Sequence, residues 1–395
     1  MMKRLVINAF TALTLLFVSI NTSFANELSQ YTAVRVQKAH QLAQEDKVTE
    51  AIEALKGLDI SRDYDKAFVA RMLGVFYWQD EQVKLAIKQL TYAVESGLLV
   101  DEQAWITQRM LADVLLNEQQ FASALPHYYQ LVKSVPETQK ADELWMRIAQ
   151  SQYQLEQWKK TLSALERYDT YNHPDELGPL SLKLGAQLQL KQWKSAISTL
   201  ERLIVLQPEK LNWWRQLVSI QLRLDRNKAA LNTLSLAKLQ GLELSQSDRR
   251  LLAQLYAKRG VPERAAKELS ELKDANSDEQ LLAEQATYWQ LAKEWDKSIA
   301  VWSKASEMNP KYHWNVAQLM VQEGYYQKAL RELDRVKGHD KQADVALARV
   351  RALYKLNQLE SALIQAKRAE NIETSKEAKG WIKYLTQLRS INTSS

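Results

Sequence analysis

Residues 68–96 read, in three pieces, FVARMLGVFYWQ, DEQ and VKLAIKQLTYAVES. The outer pieces carry apolar side chains at helical spacing, and the middle piece is short and polar. Leu73, Gly74 and Tyr77 fall on one face of the first helix. Ala86, Leu90 and Ala93 follow at i, i+4 and i+7 on the second. Small residues at Gly74 and Ala86 let the two helices approach closely, where bulky side chains would hold them apart. The stretch is one helix-turn-helix hairpin.

Outward from this hairpin the same pair of small residues, twelve apart, recurs on both sides. Ala39 pairs with Ala51, Ala112 with Ala124, Ala253 with Ala265, and Ala317 with Ala329. Weaker copies stand at Ala149/Thr161, Leu184/Ala196, Val218/Ala230, Ala286/Ser298 and Val350/Ala362. The second members therefore recur at a nearly constant step from Ala51 to Ala362. Self-similarity at such a period marks a solenoid, in which each unit buries its apolar face against its neighbours. Composition agrees. There are 7 prolines and 10 glycines in 395 residues, too few to break long helices often. The interior stretch richest in turn formers is YDTYNHPDELGP, and flexure is expected near 168–179.

The first 25 residues stand apart. Lys3 and Arg4 precede an uncharged apolar run, Leu5 to Ile20, and Ser23-Phe24-Ala25 fits a small-x-small cleavage site. This reads as a cleavable secretory signal peptide (1–25), with the mature chain starting near Asn26. The chain has no cysteine, so a lipobox and disulfides are both ruled out. Export to the periplasm as a protein without a lipid anchor is the expectation. Formal net charge is +6, and removal of Lys3 and Arg4 leaves +4. Lysine and arginine are interleaved with acidic residues, without a basic block, so nucleic acid is not an expected partner.

The repeats resemble the tetratricopeptide repeat (TPR) family, whose pattern runs Trp, Leu, Gly, Tyr in helix A and Ala, Phe, Ala in helix B, with a closing Pro. The third repeat matches with Ala112, Leu115, Phe121, Ala124, Tyr128, Leu131 and Pro136. The seventh matches with Ala253, Tyr256, Gly260, Ala265 and Leu269. The eighth matches with Leu282, Ala286, Trp289, Trp295, Ser298, Trp302, Ala305 and Pro310. Thr161, Leu184 and Val350 depart from the pattern in repeats four, five and ten. The resemblance spans Gln30 to Ala369 and implies an all-α, right-handed superhelical solenoid of about ten TPR-like helix-turn-helix repeats over 26–369. Residues 370–395 are expected to form a C-terminal capping helix on Trp381, Tyr384, Leu385 and Leu388, with a frayed tail from Asn392.

Family geometry implies that helix A lines a concave groove. Its inward positions map to Arg71, Trp78, Arg109, Arg215, Arg223, Arg250, Lys258, Lys311, Trp314, Arg351, Tyr354 and Lys355. Acidic residues at the same register are Asp113, Glu143 and Asp344. A basic groove that favours an acidic partner segment is the expectation, with Trp78 and Trp314 as apolar contacts. Trp145, Trp158, Trp193, Trp214, Trp289, Trp295 and Trp302 occupy core positions of the repeat. The family's two-carboxylate clamp is not expected, because Val75 and Gln254 stand where Asn belongs.

Nothing assembles an enzyme, a cofactor site or a metal site. His40, His127, His173, His313 and His339 fall in different repeats, and His127 is expected on the surface of its helix. HExxH, GxSxG and phosphate-cradling glycine loops are absent. The blocks QYTAVRVQKAHQLAQEDKVTEAI and MLGVFYWQDEQVKLAIKQLTYAVESGLL resemble exported repeat proteins associated with TonB–ExbB–ExbD systems of gammaproteobacteria. That resemblance implies a periplasmic scaffold assisting TonB-dependent uptake, for example of iron compounds, through TonB or an ExbB/ExbD-type component. The alternative is an adaptor for outer-membrane assembly, pilus biogenesis or polysaccharide export.

Overall fold

A computed structural model describes residues 28–338 and 340–393. The expected signal peptide, His339 and the last two residues of the tail lie outside the described residues. The chain divides into two compact units, one ending at Leu206 and one starting at Gln207. Residues 168–179, where flexure was expected, lie inside the first unit as the end of one helix, a connection and the start of the next.

In the first unit the helices are α1 (Gln30–Gln44), α2 (Val48–Lys56), α3 (Asp63–Gln79), α4 (Val83–Glu95) and α5 (Asp101–Asn117), then α6 (Phe121–Leu131), α7 (Ala141–Gln154), α8 (Trp158–Asp169), α9 (Leu177–Gln189) and α10 (Trp193–Leu206). In the second they are α11 (Leu211–Arg223), α12 (Asn227–Leu239), α13 (Gln246–Lys258), α14 (Pro262–Ser270) and α15 (Glu279–Leu291), then α16 (Trp295–Met308), α17 (His313–Gln322), α18 (Tyr326–Arg335), α19 (Gln342–Lys355), α20 (Leu359–Ile372) and α21 (Lys376–Thr393). Each odd-numbered helix up to α19 pairs with its successor as helix A and helix B of one repeat. Within each unit, helix B also packs on helix A of the next repeat, and α21 closes the last hairpin by packing on α20. The fold is all-α and TPR-like, with ten hairpins and a terminal capping helix. In the hairpin read first, the turn and helix B fall where the sequence puts them, while helix A begins earlier, at Asp63.

The small residues are the closest points of the stack. Ala39, Ala51, Ala112, Ala124, Ala253, Ala265, Ala317 and Ala329 are wholly buried. A Cβ on Gly74 would sit 2.6 Å from Leu90 Cγ on the partner helix. Thr161, Leu184 and Val350, the departures from the family pattern, are buried as well, so the hairpins continue through them. Of the seven core tryptophans, Trp214, Trp289 and Trp302 are buried. Trp145, Trp158, Trp193 and Trp295 are half-buried. Trp158, Trp193 and Trp295 each occupy the first residue of a helix B.

All ten A–B turns use one device. A residue with left-handed φ stands five positions before the small residue of helix B: Asp46, Glu81, Gln119, Glu156, Lys191, Asp225, Gly260, Lys293, Gly324 and Asn357. The residue after it donates its backbone N–H to the carbonyl five positions back, as in Gln82 to Tyr77 and Gln358 to Leu353, at 2.8–2.9 Å in every case. This is the 6→1 bond of the Schellman motif, which ends helix A and sets the direction of helix B.

Two buried polar pairs close inside the hairpins. Thr199 donates to Gln187 Oε1 (2.8 Å) and Thr233 to Gln221 Oε1 (3.0 Å), both across the twelve-residue spacing. Gln152 stands at the same register, but Ala164 takes the threonine's place. Its amide nitrogen donates instead to the Tyr129 hydroxyl, and its Oε1 is left buried without a partner.

Candidate protein-interaction face

Four arginines share one register, three residues before the small residue of helix A: Arg71 before Gly74, Arg109 before Ala112, Arg215 before Val218 and Arg250 before Ala253. The side chain three residues before the tightest point of the hairpin leaves the core along the edge of helix A. What it meets there depends on helix A of the next repeat.

Three of the four meet a carboxylate one repeat on. Arg109 pairs with Glu143 at 2.5 Å, and with Asp113 of its own helix at 3.7 Å. Arg215 grips Asp248 with two nitrogens, Nε at 3.1 Å and Nη2 at 2.6 Å. Arg250 reaches Glu284 at 3.3 Å. Bidentate, charge-assisted bonds such as that of Arg215 are the stronger kind. Asp248 is also the third residue of a capping box, accepting from the Ser245 backbone N–H at 2.9 Å while its own N–H donates to Ser245 Oγ. Burial works against its charged form, but the bonds from Arg215 and Ser245 outweigh it and hold the carboxyl below its ordinary value. Glu284 also accepts from the Tyr288 hydroxyl. Burial and that bond push Tyr288 up to about 12.

Other expected groove residues are engaged in the same way. Lys258 faces Asp225 at 3.9 Å. Lys311 lies 3.4 Å from Glu279 and over the Tyr312 ring. Arg351 pairs with Glu377 of the capping helix at 2.5 Å. Arg223, on α11, is likewise not without a partner. Lys355 is exposed, and among the described residues no ion pair engages it. The nine-to-three excess of basic over acidic groove positions therefore does not make a continuous cationic strip within either unit. The balancing carboxylates sit one repeat on for Arg109, Arg215 and Arg250, and one repeat back for Lys258 and Lys311.

Arg71 differs. Counting on 33 or 34 residues, the distance that separates the other three arginines from their carboxylates, reaches Ala104 and Trp105. Among the described residues no carboxylate pairs with it, and its Nε is buried without a hydrogen-bond partner. The guanidinium lies over the Phe68 ring, 5.7 Å from the centroid. Burial pushes its pKa down, while the nearby Tyr64 acts in the other direction. It stays a cation, because arginine does not deprotonate in proteins.

The aromatic groove residues are partly committed to packing. Trp78 packs against two of the apolar clusters of the first unit. Trp314 lies against the cluster of Ala317, Leu333, Val345 and Ala348, with Lys341 over its ring. Tyr354 packs against Trp381 and Tyr384 and shares a 2.9 Å hydroxyl–hydroxyl bond with the latter. His127 is half-buried rather than on the surface, and burial depresses its pKa.

Among the described residues, no group of three or more His, Asp or Glu is placed to hold a metal ion. No helix there is long and apolar enough to cross a membrane.

No protein-family model matches the chain, and no curated protein matches it. Solved repeat structures do. The C-terminal part of a TPR repeat-containing protein from Cytophaga hutchinsonii is 15% identical, over 70% of this chain and 95% of that one, with a TM-score of 0.39. A tetratricopeptide repeat protein from Parabacteroides merdae is 13% identical, over 72% and 99%, with a TM-score of 0.26. The TPR domain of P58(IPK) is 12% identical, over 92% and 100%, with a TM-score of 0.27. These scores are low, and the TPR-like fold rests on this chain's own ten hairpins and their common turn.

Proposed function

We propose that the chain is a protein–protein interaction scaffold whose helix-A face in the first unit receives a carboxylate of a partner at Arg71. The observation that carries this is the buried Nε of Arg71, which has no hydrogen-bond partner among the described residues and lies in a guanidinium set beside Phe68 and Tyr64. A buried donor without a partner costs free energy until something accepts from it. An acidic side chain or a chain terminus supplies the acceptor and the counter-charge together. This narrows the acidic partner expected from sequence to one anchoring point.

The proposed setting is the periplasm of a bacterium, reached through the 1–25 leader. The proposed service is to a TonB–ExbB–ExbD energy-transduction system, with TonB or an ExbB/ExbD-type component as partner. Support for the setting is the charged start, apolar run and small-x-small site; support for the service is the likeness of the two sequence blocks. In-cell photo-crosslinking tests both. With the crosslinker at Tyr64, the reading expects peptides rich in Asp and Glu from TonB or an ExbB-type protein, lost on Arg71→Glu. A crosslink that Arg71→Glu leaves unchanged sinks the anchoring role. Peptides from outer-membrane assembly, pilus or polysaccharide-export proteins sink the TonB assignment.

A further inference from the structure

The two terminal hairpins are finished differently. The last is closed by α21, which buries Ala378 and Leu385 and turns Lys376, Lys379, Lys383, Gln387 and Arg389 to solvent. That is a polar outer face, the usual end of a repeat stack. The first hairpin has no such cover among the described residues. Tyr31 is 52% exposed and Val34 60% exposed on the outer side of α1, with Leu42 half-exposed a turn or two on.

Charge is arranged unevenly along this face. Beside Tyr31 and Val34 stand Arg35 and Lys38, lining one shallow concavity. A second concavity shares Lys38 and continues over Leu42, Thr49, Glu50, Glu53 and Ala54. One end is cationic and apolar, and the other is acidic and apolar. Glu53 has a local partner in Lys56 at 3.1 Å, but both are well exposed and such a pair is weak.

We infer that this face is the contact between two copies of the chain. A patch that is positive at one end and negative at the other is complementary to itself after a two-fold rotation. Arg35 and Lys38 of each copy then meet Glu50 and Glu53 of the other, and the Tyr31, Val34 and Leu42 side chains leave water together. The face is small. A 15-residue helix is about 22 Å long and two helices side by side are about 20 Å wide, well short of the roughly 800 Å² per partner of a standard interface. The dimer is therefore weak.

Sedimentation velocity on the full chain from about 1 to 100 µM reads this directly. The expected result is a monomer–dimer equilibrium that Val34→Asp shifts at least tenfold toward monomer. Val34 is exposed, so the variant folds, and its circular dichroism checks that. Charge swaps give the sharper test. R35E/K38E and E50K/E53K each dissociate when alone, because like charges then face each other. Mixed in equal amounts they form a heterodimer, since both sets of contacts are again between opposite charges. A dimer indifferent to these variants uses another surface and overturns the proposal. A monomer throughout the range also overturns it.

Discussion

Arg71 in the first unit and Arg215 in the second occupy the same position of the repeat, three residues before Gly74 and Val218 respectively. One has a buried Nε without a partner, and the other holds Asp248 with two nitrogens. The difference lies in neither arginine. It lies 33 or 34 residues further along the chain, where the next helix A supplies Asp248 in one case and only Ala104 and Trp105 in the other. A cation on a repeat face is a structural group when its neighbour answers it and a docking group when its neighbour does not.

The largest effect follows from removing the answer. Asp248→Ala takes away a bidentate ion pair and the bond from the Ser245 backbone N–H that completes the capping box of α13. It should cost about 2–3 kcal/mol in urea unfolding, roughly 1 from the capping-box bond and the rest from the ion pair. Hydrogen exchange at the start of α13 should rise far more than at α7. A loss below about 0.5 kcal/mol would mean that Asp248 contributes no more than an ordinary surface carboxylate.

The same carboxylate fixes a pH dependence. Its folded pKa lies below the unfolded value of about 3.9. The stabilisation is therefore complete above that unfolded value and is lost as pH falls through the folded one. Asp248→Asn should remove this share of the acid sensitivity, so wild type and variant are separate above about pH 5 and converge as pH falls through the lowered folded pKa. Thermal unfolding across that window measures it. Separation that persists at the acid end would place the loss in the amide's hydrogen bonding rather than in charge.

Substituting the arginines themselves sharpens the comparison at smaller scale. Methionine keeps most of the side-chain volume without the guanidinium. Arg215→Met strands the mostly buried Asp248 carboxylate and should cost about 1–2 kcal/mol. Arg71→Met removes a donor that nothing satisfies and should be neutral or stabilising by up to about 1 kcal/mol, while abolishing the Tyr64 crosslink. Equal losses at both sites would show that Arg71 is as well satisfied as Arg215.

The fold was legible because it is periodic. The twelve-residue pairs located all ten hairpins, and even Thr161, Leu184 and Val350, which break the residue pattern, lie in the register that the period assigns them. The site was legible only in part. Comparing acids with bases at equal register found Asp113, Glu143 and Asp344 and missed Asp248, Glu284 and Glu377, because an ion pair between stacked helices joins different registers. A search 33 or 34 residues ahead of each of the four arginines at this position finds Glu143, Asp248 and Glu284 and singles out Arg71. The buried Gln187–Thr199 and Gln221–Thr233 bonds were likewise written in the twelve-residue spacing that located the hairpins. Reading small residues alone passed over them.

The smallest effect tests whether the shared turn acts alike in the two units. Lys191 in the first and Gly260 in the second hold the same left-handed place, at φ 56° and 74°. A Cβ on Gly260 meets nothing within 4 Å, so Gly260→Ala isolates the backbone term. It should cost about 1 kcal/mol, because an L-residue pays for the left-handed region what glycine does not. Lys191→Gly reverses the exchange. Relief of the strained φ is partly cancelled by the wider freedom of glycine in the unfolded chain, leaving a gain of about 0.5 kcal/mol or less. The two changes must have opposite signs if the turn is one device used ten times. A loss on Lys191→Gly would mean that the lysine side chain itself holds its turn, and that the hairpins of the first unit are closed by something more than the Schellman bond.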